Sequence, residues 1–298
     1  MSKGTLKEFK IFGGLTDHRE DERDFKLGSI INLPKLSEIP DEFIVEDPFE
    51  IKDQGESDLC TAFAGTLASE IQEGLKLSPE YQFAKTKQIT GNPEEWGADM
   101  RDMLKSLCDY GSVEIQNVPD SLKLDSNASN RDRISDYANW PESLDIEASR
   151  HKKRSFFKVS GPYDLFDNIR ATMWKFRNEK RYVIIGAKWK HAWTVADGAV
   201  IPKDKFDGGF GHAFVFNGTK KVNDEIMLVA VLSNGVSFGD NGRYYFPREV
   251  VNRDFIWGGY TLLDISKDDA KLLIDKNMKI HLLWLAKVLQ KLTQFFKQ

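Results

Sequence analysis

The chain has 298 residues, 41% of them hydrophobic, which is enough for one large domain or two closely packed lobes with a sizeable core, and it excludes intrinsic disorder. Its 42 basic and 46 acidic residues leave a net charge of −4, so no global field drives it onto nucleic acid. The opening MSKGTLKEFK has no apolar stretch of the secretory kind and no run of eighteen uncharged apolar residues follows, so neither a secretion signal nor a membrane span is expected and a cytoplasmic protein is.

In chain order, residues 1–45 read as an extended polar arm lying over a folded body, with a charge cluster from Asp17 to Asp24 and Pro34 and Pro40 as breakers. CTAFAGTLASEIQEGLK then sets Phe63, Leu67 and Ile71 four apart, which predicts a buried amphipathic helix from Cys60. Ser78 followed by Pro79 marks the N-cap and first position of a second helix, and a third spans about Ala98 to Tyr110, stopping at Gly111. Residues 115–160 show no clear period and read as a long surface excursion or an insertion between two lobes. A helix through Leu165, Ile169, Met173 and Phe176 precedes the strand YVIIGA. HAFVFNG (212–218), EIMLVAVLSNG (225–235) and GRYYF (242–246) are short strands between Gly and Asn turns, as in an antiparallel sheet or barrel. The pattern predicts an α+β fold, with a helical lobe over about 46–115, a β lobe over about 155–266 and a separate tail over 267–298.

The tail carries five lysines and no acidic residue between Lys276 and Gln298. Leu282, Leu285, Leu289, Leu292 and Phe296 recur at three-four spacing, which predicts an amphipathic helix. Its open readings are a helix docked on its own domain, a partner-protein contact, or a basic face for an anionic membrane or virion surface.

Chemistry concentrates in DQGESDLCTAFAG, residues 53–65. Cys60 opens a helix, where unpaired N–H groups and the macrodipole favour thiolate and predict a lowered pKa. Gln54, six residues upstream, can aim its amide at an oxygen above the sulfur while the Cys60 N–H supplies a second donor, forming an oxyanion hole. With two cysteines in different contexts, neither a disulfide framework nor a CxxC zinc site is written, and no metal or cofactor is expected. Cys108, on the third helix, reads as a core residue.

The QG, four residues, then C-x-A-F-A spacing resembles the active-site motif of the papain-like cysteine peptidases (peptidase C1), microbial or phage-encoded members above all. The resemblance implies a two-lobed fold with a helical N-terminal lobe and an antiparallel, barrel-like β lobe. It also implies that Cys60 is the nucleophile and Gln54 the oxyanion donor. Two departures stand out: Ser57 occupies a position that is a disulfide cysteine in secreted members, and Thr61 replaces the tryptophan that usually follows the nucleophile. In DGGFGHAFVFNG, His212 opens a strand after a glycine-rich approach, 152 residues after Cys60, and resembles the family's general base. His191, in KWKHAWTV, is its competitor and reads as a surface residue. For the third group, LSNGVSFGDNGRYYF aligns Leu232 without gaps and Asn234 after the loss of two residues; Asn234 is preferred because it can accept a hydrogen bond. Asp240 is the only Asp in a comparable place, as an amidase-like triad would need.

The function expected is therefore hydrolysis of peptide or protein substrates by a cysteine endopeptidase. The alternative is a catalytically impaired papain-like module with a binding or structural role, virion-associated in one version. No nucleic-acid partner is expected.

Overall fold

The computed structural model describes residues 11–16, 21, 24–125, 127–255, 257–266 and 268–274. The amphipathic helix expected over Lys276–Gln298 lies outside them.

After two single 3₁₀ turns, Leu27–Ser29 and Leu36–Glu38, and a two-residue strand β1 (Phe43–Ile44), the chain enters α1 (Cys60–Glu73). Nearly every α1 residue is buried, and Gly74 ends the helix in the left-handed conformation at φ 73°, which glycine adopts without strain. In α2 (Pro79–Thr90), the Ser78 hydroxyl accepts the Tyr81 N–H, the capping bond its sequence predicts. Asp99 caps α3 (Met100–Asp109) in the same way.

Residues 115–160 are far from a surface excursion. They form two short helices, α4 (Arg131–Ser135) and α5 (Glu142–Ala148), joined by 3₁₀ turns. Ile134, Trp140 and Leu144 are buried with Tyr81, Phe83 and Ala84 of α2, and the Trp140 ring meets Tyr81 edge-on at 5.5 Å. Helices of five and seven residues are too short to repeat a period, which is why this burial left no periodic trace.

The second half alternates β2 (Ser155–Lys158), α6 (Leu165–Lys175), β3 (Val183–Trp189), α7 (His191–Thr194), β4 (Phe210–Val222), β5 (Glu225–Val231), β6 (Arg243–Pro247), α8 (Arg248–Asp254) and β7 (Gly259–Leu263). The strands form one antiparallel sheet in the order β2-β7-β3-β4-β5-β6, and β1 pairs with the far end of β4 beyond a bulge at Phe216/Gly218. The sheet is not closed into the expected barrel. Each edge strand is instead capped by one loop residue, Lys26 beside Lys158 of β2 and Val200 beside Tyr245 of β6, so closure is not needed to protect it. The main core joins α1 and α3 to the sheet, and its aromatic part sets Trp189, Phe214, Phe216, Phe246 and Phe255 against one another. Among the described residues, no helix is long and apolar enough to cross a membrane.

Candidate active site

Cys60 is the first residue of α1, and its side chain is fully buried. The backbone N–H of Gly14 donates to its sulfur at 3.2 Å, and the N–H groups of Ala213 and Thr61 stand close enough to favour the thiolate. Ala213 places β4, one residue past His212, beside the thiol. His212 is equally buried; its Nε2 donates to Asn234 Oδ1 at 3.1 Å, and its Nδ1 has no partner among the described residues. The Trp189 ring stands edge-on to the imidazole at 5.7 Å and shields it from solvent.

The helix start does not lower the Cys60 pKa. Burial pushes the thiol up to about 11, outweighing the three N–H donors, and the nearby Asp58 charge adds to the rise. Burial likewise holds His212 down at about 4, against the Asn234 bond, which favours the charged ring. In this state both groups are neutral at pH 7.

The N-terminal segment covers the thiol. Residues 11–16 run through the groove over Cys60: Leu15 N donates to Gly211 O at 3.1 Å, Thr16 N to Ala98 O at 3.2 Å, and Ala98 N to Gly14 O at 2.6 Å. Leu15 packs where Gly186 of β3 leaves room for it. Farther along, Arg101 binds Asp21 and Asp24, both at 2.6 Å, and Tyr260 donates to Asp24. Gln54 is drawn into the same arrangement: its Nε2 donates to Phe12 O at 3.1 Å and to Ser57 O at 2.8 Å, while its Oε1 accepts from the Ser233 hydroxyl. A carbonyl of the chain's own N-terminal segment thus sits on the amide expected to meet an oxyanion.

The loops bearing Gln54 and Asn234 are one unit, joined by an antiparallel bridge between Asp53 and Asn234 and by Gly235 N donating to Lys52 O. Of the competing candidates, Leu232 is buried in the core, Asp240 is engaged by the Tyr245 hydroxyl, and His191 is exposed at the start of α7. Cys108 lies at the edge of the main core, and no disulfide joins it to Cys60. Thr61 is buried with its hydroxyl unpartnered among the described residues.

The sequence indicated an arm over the folded body but not that its residues 11–16 form a strap across Cys60, and it gave no sign of Trp189 or of a buried clamp. In the clamp, Asp58 takes two bonds from Arg131 of α4 and a third from Gly97 N, while Arg131 and Lys87 also donate to carbonyls of residues 93–97. Paired glycines at 13–14 are the sequence mark of the strap's close passage. A groove of ≈ 580 Å³ runs between residues 194–199 and 237–240, and none of Cys60, His212, Asn234 and Gln54 lines it. Among the described residues, no three His, Cys, Asp or Glu side chains cluster as a metal site would require.

No family model matches the chain, and no curated protein matches it. Solved structures do. Xylellain, a cysteine protease from Xylella fastidiosa, superposes with a TM-score of 0.64 at 19% identity, covering 88% of this chain and 99% of that one. Procathepsin B S9 from Trypanosoma congolense gives 0.59 at 12% identity over 85% of each chain, and digestive procathepsin L 3 from Tenebrio molitor 0.58 at 14% over 80% and 75%. The chain has the papain-like fold. Within the papain-like fold, Cys60 begins the long buried helix and His212 lies on the central strand packed against it.

Proposed function

We propose that this chain is a cysteine endopeptidase of the papain-like kind, acting on peptide or protein substrates. The observation that carries the reading is the state of His212: one nitrogen held by Asn234, the other buried with no partner among the described residues, on the strand whose next residue stands beside the Cys60 sulfur. Asn234 fixes the ring as the Nε2–H tautomer and leaves Nδ1 as the base.

Turnover requires residues 12–15 to leave the groove. Water then lowers the desolvation that opposes both charges, so the Cys60 pKa falls and that of His212 rises, which favours thiolate and imidazolium together. The Cys60 proton passes to His212 Nδ1, the sulfur bonds to the substrate carbonyl carbon, and the oxyanion takes the place of Phe12 O at Gln54 Nε2, with the Cys60 N–H as second donor. His212 returns the proton to the leaving amine as the C–N bond breaks. Water activated by the same imidazole then hydrolyses the thioester and restores the thiol.

The second reading, a binding or structural module, draws on the burial of Cys60 and the engagement of Gln54 by Phe12 O. Peptide hydrolysis and iodoacetamide labelling separate the two. The enzyme reading expects hydrolysis that Cys60→Ala abolishes with the fold intact, and labelling of Cys60 ahead of Cys108. Undiminished hydrolysis by Cys60→Ala refutes the assignment, and slow labelling of both thiols with no hydrolysis supports the module.

A further inference from the structure

The strap measures the groove above the thiol. On one wall stands the backbone of Asp58, two residues before the nucleophile; on the other stands that of Gly211, one residue before His212. A β-carbon on Gly14 would overlap the backbone oxygen of Asp58, and one on Gly13 would overlap the backbone oxygen of Gly211. The walls have themselves given up side chains: a β-carbon on Gly97 would overlap Gly14 O, and one on Gly211 would overlap Leu15 O. Gly97 also sits at φ 78°, a conformation that other residues adopt only under strain.

Neither wall can step back cheaply. Asp58 is buried, paired with Arg131 and bonded to Gly97 N, and shifting its backbone moves the Cys60 end of α1. Gly211 is held in β4 opposite Lys188, so shifting it moves His212. The groove is therefore one backbone ribbon wide beside the sulfur. The Gly14 N–H meets the Cys60 sulfur at 3.2 Å, so the narrow passage runs directly over the thiol.

We infer that the substrate of this site is a polypeptide carrying consecutive glycines at the positions that pass the thiol. The inference rests on the peptidase reading and adds its specificity. The positions flanking the two narrow ones accept side chains, as they accept Phe12 and Leu15 in the strap.

The test uses two fluorogenic octapeptides that differ only in a central Gly-Gly or Ala-Ala pair, together with a randomised peptide library. They are offered to the full chain and to its Gly14→Ala variant, whose strap no longer fits; Leu15→Ala, which loosens the strap's side-chain anchor, serves if the first variant fails to fold. The Gly-Gly peptide is expected to show a kcat/KM about a hundredfold above that of Ala-Ala, because each methyl meets backbone that cannot yield. Rates within about threefold of each other, or library cleavage with no glycine enrichment at the cut bond, overturn the specificity and leave the peptidase reading standing. If Cys60 is alkylated but neither peptide nor library is cut, the peptidase reading fails and the specificity fails with it.

Discussion

Displacing the strap should change the reactivity of Cys60 by an amount that follows from its surroundings. In Gly14→Ala the new methyl cannot share space with the Asp58 backbone, so residues 12–15 leave and water reaches the sulfur. The thiol pKa then falls from about 11 toward its ordinary value of 9.0. Two units raise the thiolate fraction at pH 7 about a hundredfold, but a less basic thiolate is intrinsically slower by about eightfold, which leaves a net gain of about tenfold from titration alone. Direct access adds to it. The assay is iodoacetamide labelling at pH 7 with Cys60 and Cys108 resolved by peptide mapping, alongside hydrogen exchange at the Leu15 and Thr16 amides to verify displacement. If those amides lose protection while the Cys60 rate stays within about twofold of the parent, burial by the strap is not what restrains the thiol and the reasoning is wrong.

The two buried groups also predict stability limits at both ends of the pH scale. The unfolded chain protonates His212 near 6.5 and the folded chain only near 4, so acid favours unfolding and about 3 kcal/mol is lost across that interval; urea titrations of His212→Leu should lack this part of the slope. Cys60 gives the mirror case, since the unfolded thiol ionises near 9.0 and the folded one near 11, and Cys60→Ala should flatten the alkaline decline. Arg131→Met strands the buried Asp58 carboxylate and should cost about 3–5 kcal/mol by calorimetry, while adding Asp58→Asn should return part of it; a loss under about 1 kcal/mol removes the clamp from consideration. Asn234→Ala should lower kcat/KM by about tenfold or more with the thermal midpoint nearly unchanged, and Asn234→Asp, which keeps an acceptor, should retain more activity than Ala; equal losses would argue against an orienting acceptor.

The residues proposed for catalysis each carry a local mark in the sequence: Cys60 at the head of an apolar periodic run, Gln54 in a Gln-Gly turn, His212 after a glycine-rich approach, and Asn234 at a strand end; of these, the structure joins His212 to Asn234 by a hydrogen bond. Chain order and hydrophobic period gave the four longest helices and four of the seven strands among the described residues within a few residues. What escaped depends on contacts between distant segments. The strap binds through main-chain bonds and the absence of side chains, neither of which a periodic pattern records. The environment of Cys60 escaped for the same reason. A helix start predicts a more acidic thiol, but that effect is modest beside full desolvation, which comes from residues more than forty positions away. Barrel closure was overestimated because a list of strands does not reveal which edges loops will cover.

Main-chain coupling between the segments at Lys52–Gln54 and Ser233–Gly235 has a consequence for engineering. The donor that would receive negative charge and the acceptor that steers the imidazole ride on a single rung, so an insertion or deletion in either segment shifts both at once. Substitutions that widen the passage beside the sulfur should therefore spare this rung, and any transplant of the catalytic geometry into another scaffold must carry both segments as one cassette.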